Sequence, residues 1–446
     1  MKHKNILFMI SHDTGRYLGC YGKPVNTPAI DKLAEDGIRF DRYFCPAPQC
    51  SPSRGSILSG LYPQNHGMIG LSHLGFSMRE AVTTLPKCLN EAGYDTVLIG
   101  FSHETIGEPD SRITSSTYKL GYNTVIPVPG DRAPDVAEQV AGFLQERANG
   151  AGSRPFFVSV GFFETHRDFD EYKPVADPAD SITPPPYLPD TPNVREDFAL
   201  LHGSVKTLDA AVGRILDALE AAGLAQDTLV VYTTDHGIAF PRAKGTLMDA
   251  GLETALIMRH PGVLDRGRVV DDLLCNVDLM PTLLTYAGAT VPEGLDGKSF
   301  WHRLAREGEE PVRDHFFSEL TWHDWYHPMR GVRTERYKYI RNFEEGPSVY
   351  LPLDIHRSLS GMDVRKDYYK PNVPEELYDL VNDPLEQHNL AADESYREVL
   401  EQLRAKVDGW MRRTNDRLLE GKVPGIAAPD WQEQFDNGTA YGAKRR

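Results

Sequence analysis

The segment Cys50-Ser51-Pro52-Ser53-Arg54 brings a thiol and a guanidinium close together in the chain. Proline is well tolerated in the first turn of a helix, where its missing N–H has no partner to lose. We therefore predict a helix that begins at Cys50 and places Arg54 on the same face, one turn later. The N-terminus of such a helix adds free N–H donors and a partial positive charge. The spacing predicts an anion-binding site that contains a nucleophile.

Cys50 alone does not decide between chemistry and packing, because a free cysteine is commonly a small buried apolar residue. The residues that follow are more specific. The pattern Cys-x-Pro-x-Arg continues into Gly55-Ser56-Ile57-Leu58-Ser59-Gly60-Leu61-Tyr62-Pro63 and then Asn65-His66-Gly67. This stretch closely resembles the signature of the formylglycine-dependent sulfatases, which belong to the alkaline-phosphatase superfamily. The resemblance implies that Cys50 is oxidised to an aldehyde whose hydrate is the nucleophile, and that a formylglycine-generating enzyme is a partner.

The composition is that of a large globular protein. With 446 residues, the chain is too long for one simple core and suits an α/β domain with a smaller companion. A net charge of −16 disfavours nucleic acid as a partner, and no polybasic segment is present for a membrane surface. A site for an anionic substrate must therefore be locally positive. The cysteines match no disulfide framework and no zinc-binding spacing; they are Cys20, Cys45, Cys50, Cys88 and Cys275.

The first ten residues contain too short an apolar run for a secretory signal, and they lack a small-residue cleavage site. No segment of the sequence is long enough to span a membrane. We expect a cytoplasmic protein as the chain is written, or a periplasmic or secreted one if a leader has been removed. The sequence leaves homo-oligomerisation open.

Strand-like apolar runs alternate with helical patterns through most of the chain. This alternation predicts the α/β class, with a mostly parallel sheet covered by helices on both faces. The resemblance implies that this is the alkaline-phosphatase-like fold. Ligands bind beyond the carboxyl ends of the strands in such sheets, so the polar residues after each strand should converge. The strands are predicted at residues 5–10, 96–100, 156–160 and 229–233.

The pattern of predicted strands and helices changes towards the C-terminus. Short strand-like pieces and turns replace the long alternation, and a final helix is predicted from about residue 395. We therefore predict a catalytic domain over residues 1–330 and a smaller C-terminal α+β subdomain over residues 331–446.

Acidic residues at strand ends are candidates for a metal site. Asp13 follows the first predicted strand, and Asp235-His236 follow a later one, although either carboxylate could instead cap a helix. With Cys50 they resemble the sulfatase metal site, where strand-end acids hold a divalent cation beside the formylglycine. The resemblance implies Asp13, Asp235, His236 and position 50 as ligands, with His12 as a further candidate. His12 replaces the more usual second acid, and because imidazole suits Mn or Zn better than Ca, the ion stays open among Ca, Mn, Mg and Zn.

The resemblance also implies which residues act on the substrate. Arg54 and Lys244 would hold the sulfuryl oxygens, and His103 would assist the nucleophile. His166 would protonate the leaving group, a role for which the ordinary pKa of histidine is well placed. Phe101 is a departure, because the family usually has a lysine there, and one expected positive charge is missing. His103 could otherwise be a core histidine, and Lys244 an ordinary exposed lysine.

Within this family, the chain resembles the heparan N-sulfatases (N-sulfoglucosamine sulfohydrolases) along nearly its whole length. The shared stretches are His166-Arg167 and residues 237–241, 325–330 and 376–391. This resemblance implies hydrolysis of a sulfate ester or sulfamate on a sulfated amino sugar, as in glycosaminoglycan degradation. Residues 325–330 should lie at the substrate entrance, where we predict that an acidic sugar contacts Arg330 together with His323 or His327.

Two other functions remain open. Two histidines beside two acids also resemble the phosphoester and phosphonate branches of the superfamily, which keeps a phosphodiesterase or phosphonate monoester hydrolase as an alternative. The departures at His12 and Phe101 keep open a pseudo-sulfatase that binds a sulfated glycan without cleaving it. Relative kcat/KM values on sulfamate, sulfate ester and phosphodiester substrates would separate the first two functions.

Overall fold

The computed structural model describes residues 4–105, 119–128 and 131–425. An eight-stranded sheet forms the centre of the molecule, and a four-stranded antiparallel sheet follows towards the C-terminus. Apolar clusters cover both faces of the central sheet with helices. The predicted α/β class and the smaller C-terminal α+β part are confirmed. No helix in the described ranges combines the length and apolar character that a bilayer crossing needs.

The helices and strands of the described residues are as follows. The strands are β1 (Asn5–Ser11), β2 (Ile38–Phe40), β3 (Tyr43–Phe44), β4 (Asp95–Gly100), β5 (Thr124–Ile126), β6 (Phe156–Gly161), β7 (Thr228–Thr234), β8 (Leu256–Arg259), β9 (Arg268–Val270), β10 (Leu274–Cys275), β11 (His315–Trp322), β12 (Tyr326–Thr334), β13 (Tyr337–Asn342) and β14 (Glu375–Asp379). The α-helices are α1 (Pro28–Glu35), α2 (Cys50–Ser59), α3 (Pro63–His66), α4 (Leu85–Glu91), α5 (Ala133–Ala148), α6 (Pro192–Ala221), α7 (Asp249–Leu252), α8 (Leu279–Ala287), α9 (Trp301–Leu304), α10 (Leu353–Arg357), α11 (Leu359–Tyr368) and α12 (Arg397–Arg413).

The central sheet has the strand order β5-β4-β6-β1-β7-β8-β2-β9. β1 pairs in parallel with β6 and β7, and β4 pairs in parallel with β5 and β6. The four strands predicted from the sequence are therefore neighbours, and their carboxyl ends meet at one edge of the sheet. β8 runs antiparallel to both β7 and β2.

β1 shows why the sheet needs helices on both sides. Its side chains alternate between two separate apolar clusters, with Leu7 and Met9 in one and Ile6, Phe8 and Ile10 in the other. Successive side chains of a strand point to opposite faces, so a strand that is apolar at every position must be covered twice. This run therefore fixes β1 in the middle of the sheet.

The C-terminal sheet has the order β11-β12-β13-β14, and α12 packs against it. β11 begins at His315, so this sheet includes residues on both sides of the boundary predicted at residue 330. The reason is the β11–β12 hairpin, in which Glu319 lies directly opposite Arg330. Two strands of the hairpin cannot belong to different sheets.

Arg330 fastens β12 to the segment that follows α12. Its Nε and Nη2 donate to Asp416 at 2.6 and 3.1 Å, and Nη2 also donates to Thr321 at 3.0 Å. Its Nη1 donates to the carbonyls of Leu320 and Met329, each at 2.9 Å. All five guanidinium N–H groups thus have partners within the protein. In this structure Arg330 has a structural role instead of the predicted sugar contact.

The buried Arg330–Asp416 pair gives a test of this fold. We expect Asp416→Ala to lower the free energy of unfolding by about 3 kcal/mol, because it leaves a buried guanidinium without its bidentate partner. The loss should not exceed this, since Glu319 remains 3.5 Å from Arg330 Nη2. Denaturant unfolding followed by circular dichroism measures it.

Asp190→Ala is the matched control, because Asp190 pairs with Arg195 on the exposed surface. We expect this control to leave the free energy of unfolding nearly unchanged. Equal effects of the two substitutions would contradict the structural role assigned to Arg330.

Candidate active site

Polar residues after two strands meet the start of α2 at the carboxyl edge of the central sheet. Two of them, His12 and Asp13, follow β1, and two more, Asp235 and His236, follow β7. The fifth, Cys50, is the first residue of α2. Each offers one potential ligand atom, and these atoms all lie within 4.8 Å of one another. All five side chains are buried, and together they are the metal ligands proposed from the sequence: His12, Asp13, Cys50, Asp235 and His236.

Cys50 is the first residue of α2, and all ten residues of this helix are buried. Its Sγ lies 3.8 Å from Asp13 Oδ1 and 3.5 Å from His236 Nε2. Burial raises the pKa of the Cys50 thiol, and the nearby Lys244 only partly offsets this. The thiolate is the nucleophilic form of cysteine, so the unmodified side chain is poorly suited to attack.

Asp13 occupies the turn that follows β1, with a φ of 56°. A non-glycine residue in this left-handed region carries backbone strain, which is typical of functional sites. Its N–H donates to Asp235 Oδ1 at 2.9 Å, and its own Oδ1 lies 2.9 Å from His236 Nε2. Burial by itself would raise the pKa of Asp13, but Lys244 and the surrounding histidines hold it well below the ordinary value. Asp13 is therefore a charged carboxylate.

Arg54 lies one turn after Cys50, as the helical spacing predicts. Its Nε donates to Asp235 Oδ2 at 3.0 Å, and Nη2 donates to the carbonyl of Ser11 at 3.3 Å. Nη1 is buried and has no hydrogen-bond partner among the described residues. A buried guanidinium N–H without a partner is costly in an unliganded protein and useful for binding an anion.

The two departures from the family pattern pack against each other. The rings of His12 and Phe101 stack with centroids 4.9 Å apart and planes 28° from parallel. Neither ring nitrogen of His12 has a hydrogen-bond partner among the described residues. Burial lowers the pKa of His12, more than the adjacent Asp13 raises it, so the ring is neutral and offers a lone pair. The Arg54 guanidinium also packs over the Phe101 ring, with Cζ 5.3 Å from the ring centroid.

Lys244 is a buried residue of the site and not an ordinary surface lysine. Its side chain is 1% exposed, and Nζ donates to Asp13 Oδ2 at 2.7 Å and to Asp354 Oδ2 at 2.9 Å. The same Nζ lies 3.4 Å from His166 Nε2. His166 Nδ1 lies 2.6 Å from the carbonyl of Arg167, which fixes the proton on Nδ1 and turns Nε2 towards Lys244.

Burial and Lys244 lower the pKa of His166 below the ordinary value. Asp13 and Asp354 act in the opposite direction. The resting His166 ring is therefore neutral, and an arriving anion would raise its pKa because the charged imidazole would then have a partner.

His103 lies in a group of imidazole rings beside the cluster. Its Nε2 is 3.3 Å from His73 Nδ1, and the two rings are stacked with centroids 5.5 Å apart. The ring of His12 lies 5.9 Å away, almost edge-on. Its Nδ1 has no hydrogen-bond partner among the described residues. His73 belongs to no motif, and the sequence offers no signal for it.

The β11–β12 turn reaches the same space. His323 is buried, with Nδ1 3.1 Å from Asp324 Oδ2 and Nε2 without a hydrogen-bond partner in the described chain. His323, Asp324 and His166 all act electrostatically on His73, so these groups lie near one another. His327 instead stacks on Tyr350 with ring centroids 5.3 Å apart, and burial lowers its pKa to about 4. Of the predicted sugar contacts, His323 is the one whose place suits a ligand.

Asp354 is the acidic residue of this site that the sequence does not reveal. It lies 110 residues beyond Lys244, in the C-terminal part of the chain, and follows no recognisable motif. Its carboxylate, one nitrogen of His166 and one oxygen of Asp13 lie within 4.8 Å of one another.

Comparison with known families agrees with this geometry. A family model for sulfatases matches residues 4–289, which is more than half of the chain. The chain belongs to the sulfatase family. A second model, for the C-terminal region of N-sulphoglucosamine sulphohydrolase, matches residues 241–363. This second match includes Lys244, the β11–β12 turn and Asp354.

Sulfatases also appear among the individual relatives. An ulvan-active sulfatase of Formosa agariphila is 31% identical over 436 residues, covering 94% of this chain and 82% of that protein. The human N-sulphoglucosamine sulphohydrolase is 29% identical over 481 residues, covering 96% and 92% of the two chains. A solved structure of the protein BT4656 with its substrate D-glucosamine-2-N,6-O-disulfate has a TM-score of 0.71 at 19% identity, covering 95% of this chain and 100% of that one. The resemblance drawn from the Cys50 segment is therefore confirmed for family and fold.

The stacked His12–Phe101 pair leads to a prediction about this sulfatase. We expect His12→Asp and Phe101→Lys each to lower the free energy of unfolding by about 3 kcal/mol in the presence of a chelator, because each buries a charge without a partner. The double variant should lose about 1–3 kcal/mol less than the sum, since the new carboxylate and ammonium lie together. Denaturant unfolding of all four proteins gives this coupling energy.

His260→Asp combined with Phe101→Lys is the matched control. His260 is equally buried but follows β8, the antiparallel strand, and so lies at the opposite edge of the sheet. The effects of this pair should add. Additive effects of His12→Asp and Phe101→Lys as well would show that the two departures are independent.

Proposed function

We propose that this sulfatase hydrolyses a sulfate ester or sulfamate on a sulfated amino sugar, through formylglycine derived from Cys50 and with a divalent metal ion. The observation that carries the proposal is the position of Cys50. It begins a buried helix at the carboxyl edge of the sheet and faces Asp13 and His236, while Arg54 Nη1 and Lys244 Nζ supply positive charge beside it. Maturation would require a formylglycine-generating enzyme as a partner.

The residues present fit a divalent ion. Two carboxylates and two imidazoles converge with position 50, and neither ring nitrogen of His12 has a hydrogen-bond partner among the described residues. When bound by Asp13, Asp235, His236, position 50 and His12, the ion supplies Lewis-acid polarisation of a sulfuryl oxygen, and formylglycine at position 50 supplies a hydroxyl nucleophile.

The side chains of the protein carry out the remaining chemistry. Arg54 Nη1 and Lys244 Nζ bind the sulfuryl oxygens and stabilise the negative charge that develops on them. The bound anion raises the pKa of His166, so that this ring takes up a proton on Nε2 and passes it to the departing oxygen or nitrogen. The Nδ1 of His103 has no hydrogen-bond partner among the described residues. It accepts a proton from a hydroxyl of the hydrated aldehyde at position 50.

The modification of Cys50 is the first point to test. We expect protein produced together with a formylglycine-generating enzyme to carry an aldehyde at position 50, visible in the mass of the tryptic peptide over residues 43–54. Cys45 lies in the same peptide, so fragmentation must locate the change. Cys50→Ala should lose all turnover, and Cys45→Ala should keep it. An unmodified Cys50 in fully active protein would contradict the formylglycine mechanism.

A substrate panel separates this function from its alternatives. We expect kcat/KM to be highest for glucosamine N-sulfate or O-sulfate and at least about 100-fold lower for matched phosphodiesters and phosphonate monoesters. The phosphoryl alternative draws support from the imidazoles of His12 and His236, and it predicts the reverse order. Sulfated-glycan binding without turnover at any metal, unchanged by Cys50→Ala, would identify a binding protein.

The nature of the metal gives a further prediction. Imidazole favours Mn²⁺ or Zn²⁺ over Ca²⁺, so we expect chelator-stripped protein to bind these two ions more tightly than Ca²⁺ in calorimetric titrations. His12→Asp should raise the affinity for Ca²⁺ relative to Mn²⁺ by at least about 10-fold, a change that the loss of an outer-shell partner can already produce. A preference for Ca²⁺ in the wild type would contradict His12 as a ligand.

A further inference from the structure

Asp354 is held rigidly at the substrate side of the active site. It lies at the start of α10, where its own Oδ1 accepts the N–H of Ile355 at 2.8 Å. The preceding residue, Leu353, donates its N–H to Asp324 Oδ2 at 2.6 Å, which ties α10 to the β11–β12 turn. These two hydrogen bonds leave Asp354 Oδ2 directed at Lys244 Nζ, 2.9 Å away.

The surroundings of Asp354 match the place where a leaving group would emerge. Its carboxylate lies within 4.8 Å of a nitrogen of His166, the residue proposed to protonate the leaving atom. Its side chain is 20% exposed, whereas that of Lys244 is 1% exposed, so Asp354 is the more accessible partner of this pair. A group that departs past His166 therefore meets the carboxylate of Asp354.

The charges around Lys244 leave Asp354 available for a second cation. One ammonium is shared by two carboxylates, because Lys244 Nζ bridges Asp13 and Asp354. Burial by itself would raise the pKa of Asp354, but Lys244 and His166 hold it below the ordinary value, so it is ionised. A bound sulfuryl group competes for the same ammonium and weakens its contact with Asp354. The carboxylate can then accept a hydrogen bond from the substrate.

We propose that Asp354 is a specificity-determining residue, which accepts a hydrogen bond from the leaving group beside His166 and favours an amine over a hydroxyl. This inference rests on the proposed sulfatase function and deepens it towards N-sulfated amino sugars. An amine that has taken up a proton is a cation and forms an ion pair with Asp354, whereas a hydroxyl stays neutral. The positive charge of the ammonium adds a Coulombic attraction to the carboxylate that a neutral hydroxyl does not have.

The leaving nitrogen takes up two protons, one after the other. Sulfur gains a bond to the oxygen of the nucleophile while the sulfur–nitrogen bond breaks, and the electron pair of that bond remains on nitrogen. The proton from His166 Nε2 completes a neutral amine. The amine then takes a second proton from a water molecule and becomes an ammonium ion, which Asp354 holds, while the hydroxide that is left is neutralised by the buffer.

Asp354→Asn tests this proposal, since asparagine keeps the shape and can still accept the N–H of Ile355 through its oxygen. We expect kcat/KM for glucosamine N-sulfate to fall about 10- to 100-fold, which corresponds to the loss of one hydrogen bond from the leaving N–H to a charged acceptor. Activity on 4-nitrophenyl sulfate should fall by a smaller factor than activity on the N-sulfate, because its leaving group is an anion that gains nothing from a carboxylate. Asp367→Asn, an exposed acid on the neighbouring α11, is the matched control and should affect neither substrate.

A residue that merely positioned Lys244 would give a different result. Lys244 contacts the sulfuryl group, which all of these substrates share. Equal losses on the N-sulfate and on 4-nitrophenyl sulfate would therefore overturn the specificity role and leave the sulfatase function standing. An N-sulfate activity unchanged in Asp354→Asn would overturn it as well.

Binding of the product gives a readout that does not depend on turnover or on a folded variant. We expect wild-type protein at mildly acidic pH to bind glucosamine about 10-fold more tightly than glucose, and Asp354→Asn to abolish this difference. Equal binding of the two sugars by the wild type would overturn the proposal. A wild type that prefers glucosamine and hydrolyses no sulfate would support the role of Asp354 in binding amines while the proposed sulfatase function failed.

Discussion

A carboxylate sealed from solvent lies at the centre of the active site, and much of the surrounding structure serves to keep it charged. Asp13 is 0% exposed, and an isolated buried ion would cost several kcal/mol. Lys244 provides the counter-charge, which explains why a lysine is buried in the loop after β7. His236 Nε2, 2.9 Å from Asp13 Oδ1, completes the polar shell. The strained turn at Asp13 is retained because it directs the carboxylate into this shell.

The same need for charge balance gives a physical reason for the two departures from the family pattern. Replacing an acid by His12 removes one negative charge, and replacing a lysine by Phe101 removes one positive charge. The net charge of the site is unaltered by the pair of replacements, and the two rings fill the space by stacking. Either replacement alone would leave a buried charge unpaired. The two replacements together therefore preserve the charge balance of the site.

The sequence was sufficient for β1, β4, β6 and β7, the four neighbouring strands of the central sheet, and for the residues that follow them. Apolar runs and helix caps are local signals, and the rule that ligands bind at strand carboxyl ends places Asp13, His166 and Asp235 together. The antiparallel direction of β8, the hairpin that crosses residue 330 and the role of Asp354 were not predicted. Each of these depends on contacts between segments far apart in the chain. Arg330 was predicted to contact a sugar for the same reason, because its structural partner Asp416 lies 86 residues away in the chain.

The C-terminal sheet and the central sheet contribute to different sides of the reaction. The central sheet and α2 supply the candidate metal ligands and the proposed nucleophile, whereas the proposed leaving-group side combines His166, which follows β6, with the β11–β12 turn and α10. Asp324 joins these two elements through His323 and the N–H of Leu353, and α10 places Asp354 against Lys244. The Lys244 side chain thus contacts both Asp13 and Asp354. Because the leaving-group side is anchored through a few hydrogen bonds of its own, its residues can change without disturbing Asp13, and substrate preference can change while the chemistry at sulfur stays the same.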